Sequence, residues 1–220
     1  KIRVMPDVHP GKVGTIGFTS TIGNKIMPNL IGIDIGCGMT LAQIKAQKLE
    51  GQKLDTVIRD NVPSGFGIRK KPHHMTDTFD FSRLRCVKHV RTEKAVLSLG
   101  TLGGGNHFIE VDVDSDGNHY IVVHTGSRHL GKEVTEYYLN EGQKALKTHG
   151  INVPYELTWL EGELKDSYLH DLRVAQKFAE LNREIIISEL TKGMKWKILD
   201  MYSCHHNYIE DAEIPILRKG

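Results

Sequence analysis

The sequence predicts an α+β protein in which mixed, strand-rich core sheets are flanked by helices. Three observations carry the prediction. Residues 13–22 are rich in β-branched side chains and broken by Gly14 and Gly17, a pattern of short strands with turns or bulges. Runs at 110–113 and 120–124 are separated by Asp114-Ser-Asp-Gly117-Asn118, as in two strands joined by a turn. Residues 167–190 place Leu169, Leu172, Ala175, Phe178, Ala179, Ile185, Ile186 and Leu190 at helical spacing.

The other elements come in chain order. Residues 1–5 are apolar enough for a strand, and 5–12, punctuated by Pro6 and Pro10, read as a loop. Residues 40–46 predict a strand and 50–61 a helix with Leu54, Val57 and Ile58 on one face. The stretch 62–85 lacks periodicity and reads as a long loop. Residues 87–99 fit a helix, and 132–147 fit another that ends at Gly150. Residues 154–163 are irregular. Gly193 is expected just past the long helix, with a strand at 195–202 after it.

Composition narrows the class. With 220 residues, 39% hydrophobic and 25% charged, the chain can bury a sizeable core. A net charge of +2 neither demands nor excludes a nucleic-acid partner, because a local patch matters more than the total. Three widely spaced cysteines suit a reducing compartment, so a cytoplasmic protein is expected. No apolar run reaches the ~20 residues of a membrane helix.

Four knots of Gly, His, Cys and Asp mark the chemistry. The first is Ile33-Asp34-Ile-Gly-Cys37-Gly38. The second is Leu99-Gly-Thr-Leu-Gly-Gly-Gly-Asn106-His107, leading into Phe108-Ile109-Glu110. The third is Val123-His124-Thr-Gly-Ser-Arg128, and the fourth Cys204-His205-His206-Asn207. Glycines let a ligand approach the main chain closely, so the second knot reads as an anion or metal-ligand site, or as a tight turn with a surface histidine. Carboxylate, thiolate and imidazole together suit a divalent transition metal. Asp34, Cys37, His107, His124 and His206 exceed one tetrahedral site, and a thiolate bridging two ions would account for the surplus. Softness favours zinc, whereas the carboxylate leaves manganese open.

These knots, with Pro6-Asp7-Val-His9-Pro-Gly11, resemble in order the motifs of the RtcB family of GTP- and manganese-dependent RNA ligases. The resemblance implies that Asp34 and His107 hold one Mn2+, that Cys37 bridges to a second, and that His124 and His206 complete it. It implies a GTP site built from Asn106, His107, Phe108, Ile109, Glu110, His206 and Asn207, with Glu110 reading the guanine. Asp7 matches an acidic active-site residue, and Arg128 and Lys219 match contacts to RNA phosphate. Taken singly, Glu110 could also be an exposed strand carboxylate and Arg128 a surface arginine. The implied substrates are RNA ends bearing a 3′-phosphate or 2′,3′-cyclic phosphate and a 5′-hydroxyl, with an archease-type activator as partner and no membrane. The family's guanylylated histidine lies in a downstream Gly/Arg-rich motif not found between Asn207 and Gly220. Residues 1–220 are therefore expected to be one RtcB-like catalytic domain lacking its C-terminal portion. The alternatives are a metal-dependent phosphoesterase and a non-catalytic metal- or nucleotide-binding module.

Overall fold

The computed structural model describes residues 1–11, 13–46, 48–211 and 213–220. In chain order the elements are β1 (Ile2–His9), β2 (Ile16–Thr21), β3 (Lys25–Ile26), α1 (Pro28–Ile31), β4 (Gly38–Lys45), α2 (Gly51–Asn61) and α3 (Thr92–Ser98). They continue with β5 (Phe108–Val113), β6 (His119–Thr125), α4 (Arg128–Thr148), β7 (Leu160–Glu161), α5 (Gly162–Met194), β8 (Lys197–His205), β9 (Asn207–Glu210) and β10 (Ile216–Lys219). The fold is α+β, as the sequence predicts.

Among the described residues the strands form three sheets, ordered β1-β2-β10-β9, β3-β7 and β5-β6-β4-β8. The last is antiparallel throughout, and the Gly/His/Cys/Asp knots are mounted on its strand ends. Its strand β4 alternates: Gly38, Thr40, Ala42 and Ile44 are buried while Leu41 and Lys45 are exposed. The inward side chains meet α5, where Ile186, Ile187 and Leu190 close one core cluster with Ile121 and Val123. A larger cluster gathers around Phe178, Tyr138, Leu130 and Leu172 between α4 and α5. Burying a side chain such as Phe178 contributes roughly 1.5–3 kcal/mol.

Three expectations need correction and one gains detail. The stretch 5–12 is not all loop, because β1 runs through Pro6 to His9. Proline is tolerated there because β1 lies at a sheet edge and its pairing with β2 shifts register between Val4 and His9. The helix expected over 87–99 is divided: a 3-10 turn at Val87–His89 precedes α3, and Val90 between them is extended. Gly193 lies inside α5, against the Val57 side chain; the helix stops at Lys195, which takes a left-handed φ of 60°. Finally, 62–85 is irregular but fastened. It holds two 3-10 turns, and Phe79 and Phe81 set their rings edge-on to Phe178. No described helix is long and apolar enough to cross a membrane.

Candidate functional site

Strand register brings the four knots together. In the β5-β6-β4-β8 sheet, Phe108 lies opposite His124, Met39 opposite His124, and Gly38 opposite both Thr125 and His205. His107 precedes β5, Cys37 precedes β4, His124 is next to last in β6, and His206 follows β8, so all four fall at the same end of the sheet. Asp34 reaches them from the turn between α1 and β4. A backbone bond from His206 N–H to the Cys37 carbonyl (3.0 Å) ties the first and last knots directly.

The side chains converge. His107 Nε2 lies 3.1 Å from Asp34 Oδ2 and 3.7 Å from Cys37 Sγ. His124 Nε2 lies 3.4 Å from the same sulfur and 2.9 Å from His206 Nε2. Two groups result, Asp34–Cys37–His107 and Cys37–His124–His206, each with its ligand atoms within 4.8 Å of one another. Such spacing matches donors across an ion bound at about 2.0–2.3 Å. Cys37 belongs to both groups.

The surroundings fix which ring nitrogen points inward. Nδ1 of His107 faces the Leu102 carbonyl at 3.0 Å and Nδ1 of His124 faces the Asn106 carbonyl at 2.9 Å, so each donates from Nδ1 and leaves the Nε2 lone pair free. Lone pairs of two histidines, a sulfur and a carboxylate thus face one another, an arrangement of acceptors that calls for a cation. Asp34 Oδ1 is buried without a partner, a further acceptor left open. Burial pushes the Cys37 thiol up to about 12, with the Asp34 charge adding to it, so a bound cation would have to displace its proton. His124 and His206 are pushed below the ordinary histidine value, chiefly by burial, and are held neutral, the form that ligates. The donor set fits a transition-metal pair.

Glycine is required close to these groups for lack of space. A Cβ on Gly126 would collide with the Asp34 carboxylate, and one on Gly38 with the Cys204 carbonyl.

Three polar residues of α5, which the sequence reading did not single out, carry this end of the sheet. Arg183 is fully buried; it donates to the Gly36 and Thr125 carbonyls at 2.8 Å each and to Thr40 Oγ1 at 2.8 Å. Asn182 accepts from the Gly100 and Thr101 N–H groups and donates to the Thr101 and Gly126 carbonyls, holding the glycine knot to the third one. Glu180 accepts from His205 Nε2 at 2.9 Å, turning that ring away from its neighbour His206. The signal was present: Asn182 and Arg183 stand four residues after Phe178 and Ala179, so both fall on the apolar stripe, where a polar group must be buried and paired.

The remaining expected residues occupy definite places. The Phe108 ring lies 5.1 Å from that of His124. Glu110 is exposed on the same side of β5 as Phe108, while Ile109 packs on the core and has only its backbone to offer a ligand. Asn106 is exposed at the mouth of the glycine knot, and buried Asn207 Oδ1 has no partner. Arg128, at φ 56°, donates from Nε to Thr101 Oγ1 and from a terminal nitrogen to the Gly65 carbonyl. Asp7, His206, Arg218 and Lys219 line a cleft of about 240 Å³. Lys219 is buried, donates to the Leu30 carbonyl at 3.1 Å, and has its pKa pushed down by that burial.

What fold and side chains define is an α+β protein with Asp34, Cys37 and three histidines clustered at one sheet end. Comparison with known proteins then gives the family. The model described as tRNA-splicing ligase RtcB matches residues 1–81 and 70–220, and the chain belongs to this family. Its relatives include RNA-splicing ligase RtcB1 of an Escherichia coli strain, 32% identical over all of this chain and 63% of its own length. RNA-splicing ligase RtcB of E. coli K12 is 30% identical with the same coverage. The tRNA-splicing ligase RtcB of Thermococcus kodakarensis is 29% identical over 83% of this chain and 49% of its own. The chain thus spans less than two thirds of the curated relatives it matches.

Proposed function

We propose that this chain is the metal- and nucleotide-binding part of an RNA ligase that joins a 3′-phosphate or 2′,3′-cyclic phosphate end to a 5′-hydroxyl, using GTP and Mn2+. The observation that supports this best is the sharing of Cys37 by two ligand groups, which suits one thiolate between two cations. Asp34 and His107 would hold the first Mn2+ and His124 and His206 the second, with Zn2+ as the substitute; bound there, the cations would polarise the GTP phosphates and neutralise their charge.

The chain's own residues do the rest. Asn106, His107, Phe108, Ile109, Glu110, His206 and Asn207 surround the nucleotide. The Glu110 carboxylate accepts from guanine N1 and the exocyclic amine, a donor pair adenine does not offer. Arg128, held from below by Thr101 and Gly65, presents guanidinium donors to an RNA phosphate, and Lys219 with Asp7 lines the cleft beside His206. In the family scheme GTP guanylylates a histidine, GMP passes to the RNA 3′-phosphate, and the 5′-hydroxyl attacks and expels it; that histidine is assigned to no residue of this chain. The setting is the cytoplasm, with an archease-type activator as helper.

Metal stoichiometry tests the central claim. Titrated with Mn2+, the chain is expected to bind two ions, His107→Ala and His206→Ala one each, and Cys37→Ala to lose affinity at both positions. Loss at only one position in Cys37→Ala removes the bridging role. Joining of 3′-phosphate to 5′-hydroxyl RNA by the protein that carries this chain tests the reaction. Phosphate release from GTP without ligation would point instead to a phosphoesterase.

A further inference from the structure

The opposite end of the same sheet carries a second cluster. Lys45 is the last residue of β4 and Lys197 the first of β8, and they are direct cross-strand partners. Like charges set opposite one another in an antiparallel pair are destabilising. Lys48, Lys53 and Lys195 stand around the same cleft of about 430 Å³, with Trp196 between Lys195 and Lys197. Glu50 is the acid lining it, and that carboxylate lies 3.8 Å from Lys53. Among the described residues Lys45, Lys48, Lys195 and Lys197 form no ion pair. The α5 terminus beside them supplies about half a negative charge, too little to offset four ammonium groups.

We infer that this lysine cleft binds the phosphodiester backbone of the RNA, away from the ends being joined. The inference rests on the RNA reading of the ligand centre and extends it. From Cys37 to Lys45 the strand spans roughly 26 Å at about 3.3 Å per residue, so the two sites address different parts of one RNA. The cleft offers lysines and no arginine. Ammonium groups are point charges without the planar fork that reads a base edge or grips one phosphate bidentately, so they suit a backbone contact indifferent to sequence. The charge concentration is local, since the whole chain carries only +2.

The test is fluorescence anisotropy with a long labelled oligoribonucleotide over a salt series, comparing the chain with Lys45→Ala/Lys195→Ala/Lys197→Ala. The variant is expected to bind at least about tenfold more weakly, with a log–log salt slope shallower by about 2, at ~0.7 for each lost contact. Its melting temperature stays level or rises, because the cross-strand repulsion is gone, and the corresponding triple Lys→Arg variant recovers binding. A trinucleotide ending in a 3′-phosphate binds both proteins equally. Equal affinity and slope for the long RNA overturn the cleft and leave the ligand centre untouched. No RNA binding by the unaltered chain overturns both readings. Poly-glutamate bound by the chain and lost in the variant as strongly as RNA makes the cleft a surface for acidic protein, and saturation by tripolyphosphate makes it a small-anion site; either overturns the inference.

Discussion

The two ends of the β5-β6-β4-β8 sheet are built from the same strands and have opposite characters. At one end, potential ligands crowd together: Asp34, Cys37 and His107 form one group and Cys37, His124 and His206 another. At the other, donors crowd together as lysines around an open cleft. The ligand end is braced from within by the buried polar groups of Arg183 and Asn182, whereas the lysines of the other end are exposed above apolar Ile44 and Met194. The difference teaches that a bound cation needs groups held in place, and a polyanion needs only charge held nearby.

Substitutions at the two ends should separate along this line. The largest effect is expected for Arg183→Met. Removing the guanidinium takes the donor from the Thr125 carbonyl and leaves the Gly36 carbonyl only a 3.3 Å contact with His205 Nδ1, at roughly 1–3 kcal/mol each. Chemical denaturation should therefore report a loss of about 2–5 kcal/mol, and a lysine at the same position should restore little of it. Next comes Gly126→Ala, which drives a methyl group into the Asp34 carboxylate. Mn2+ affinity at the Asp34–His107 position should fall about 10–100-fold, as for other disturbances of groups packed around a ligand. An unchanged isotherm would mean that Asp34 does not ligate.

A smaller effect is expected from pH. His124 and His206 have folded-state values depressed by burial, so the unfolded chain takes up protons first as pH falls. Stability contributed by their neutral forms is full above pH about 6.5 and is lost as pH drops below it toward their folded values. Melting temperatures between pH 7.5 and 5.5 should show this slope, and His124→Gln should flatten it. The smallest effect is expected for Lys197→Ala, within about 0.5 kcal/mol of the parent by denaturation. A loss comparable to that of Arg183→Met would erase the contrast between the ends.

Much of this was readable in advance, and the failures have physical causes. The long helix declared itself because its apolar positions repeat over many turns, and the five ligand candidates were singled out by residue type near glycine or, for His206, after a strand end. What the spacing could not reveal was register: only strand pairing shows that Gly38 faces both Thr125 and His205. The proline of β1 misled because an edge position excuses it from hydrogen bonding. Gly193 misled because packing against Val57 favours a small residue as well as a helix end does. Arg183 was legible only by asking why a cation sits on an apolar stripe.

Strand β8 is an edge, paired among the described residues with β4 alone, and His206 is carried at its far end. His107 and Asp34 depend on neither β8 nor its hydrogen bonds. Fraying of that outer strand would withdraw His206 while leaving the opposite half of the centre assembled. On the two-cation proposal, chelation would then remove the ions in sequence, the one nearest β8 first, with a half-loaded form that rises and falls as a distinct species.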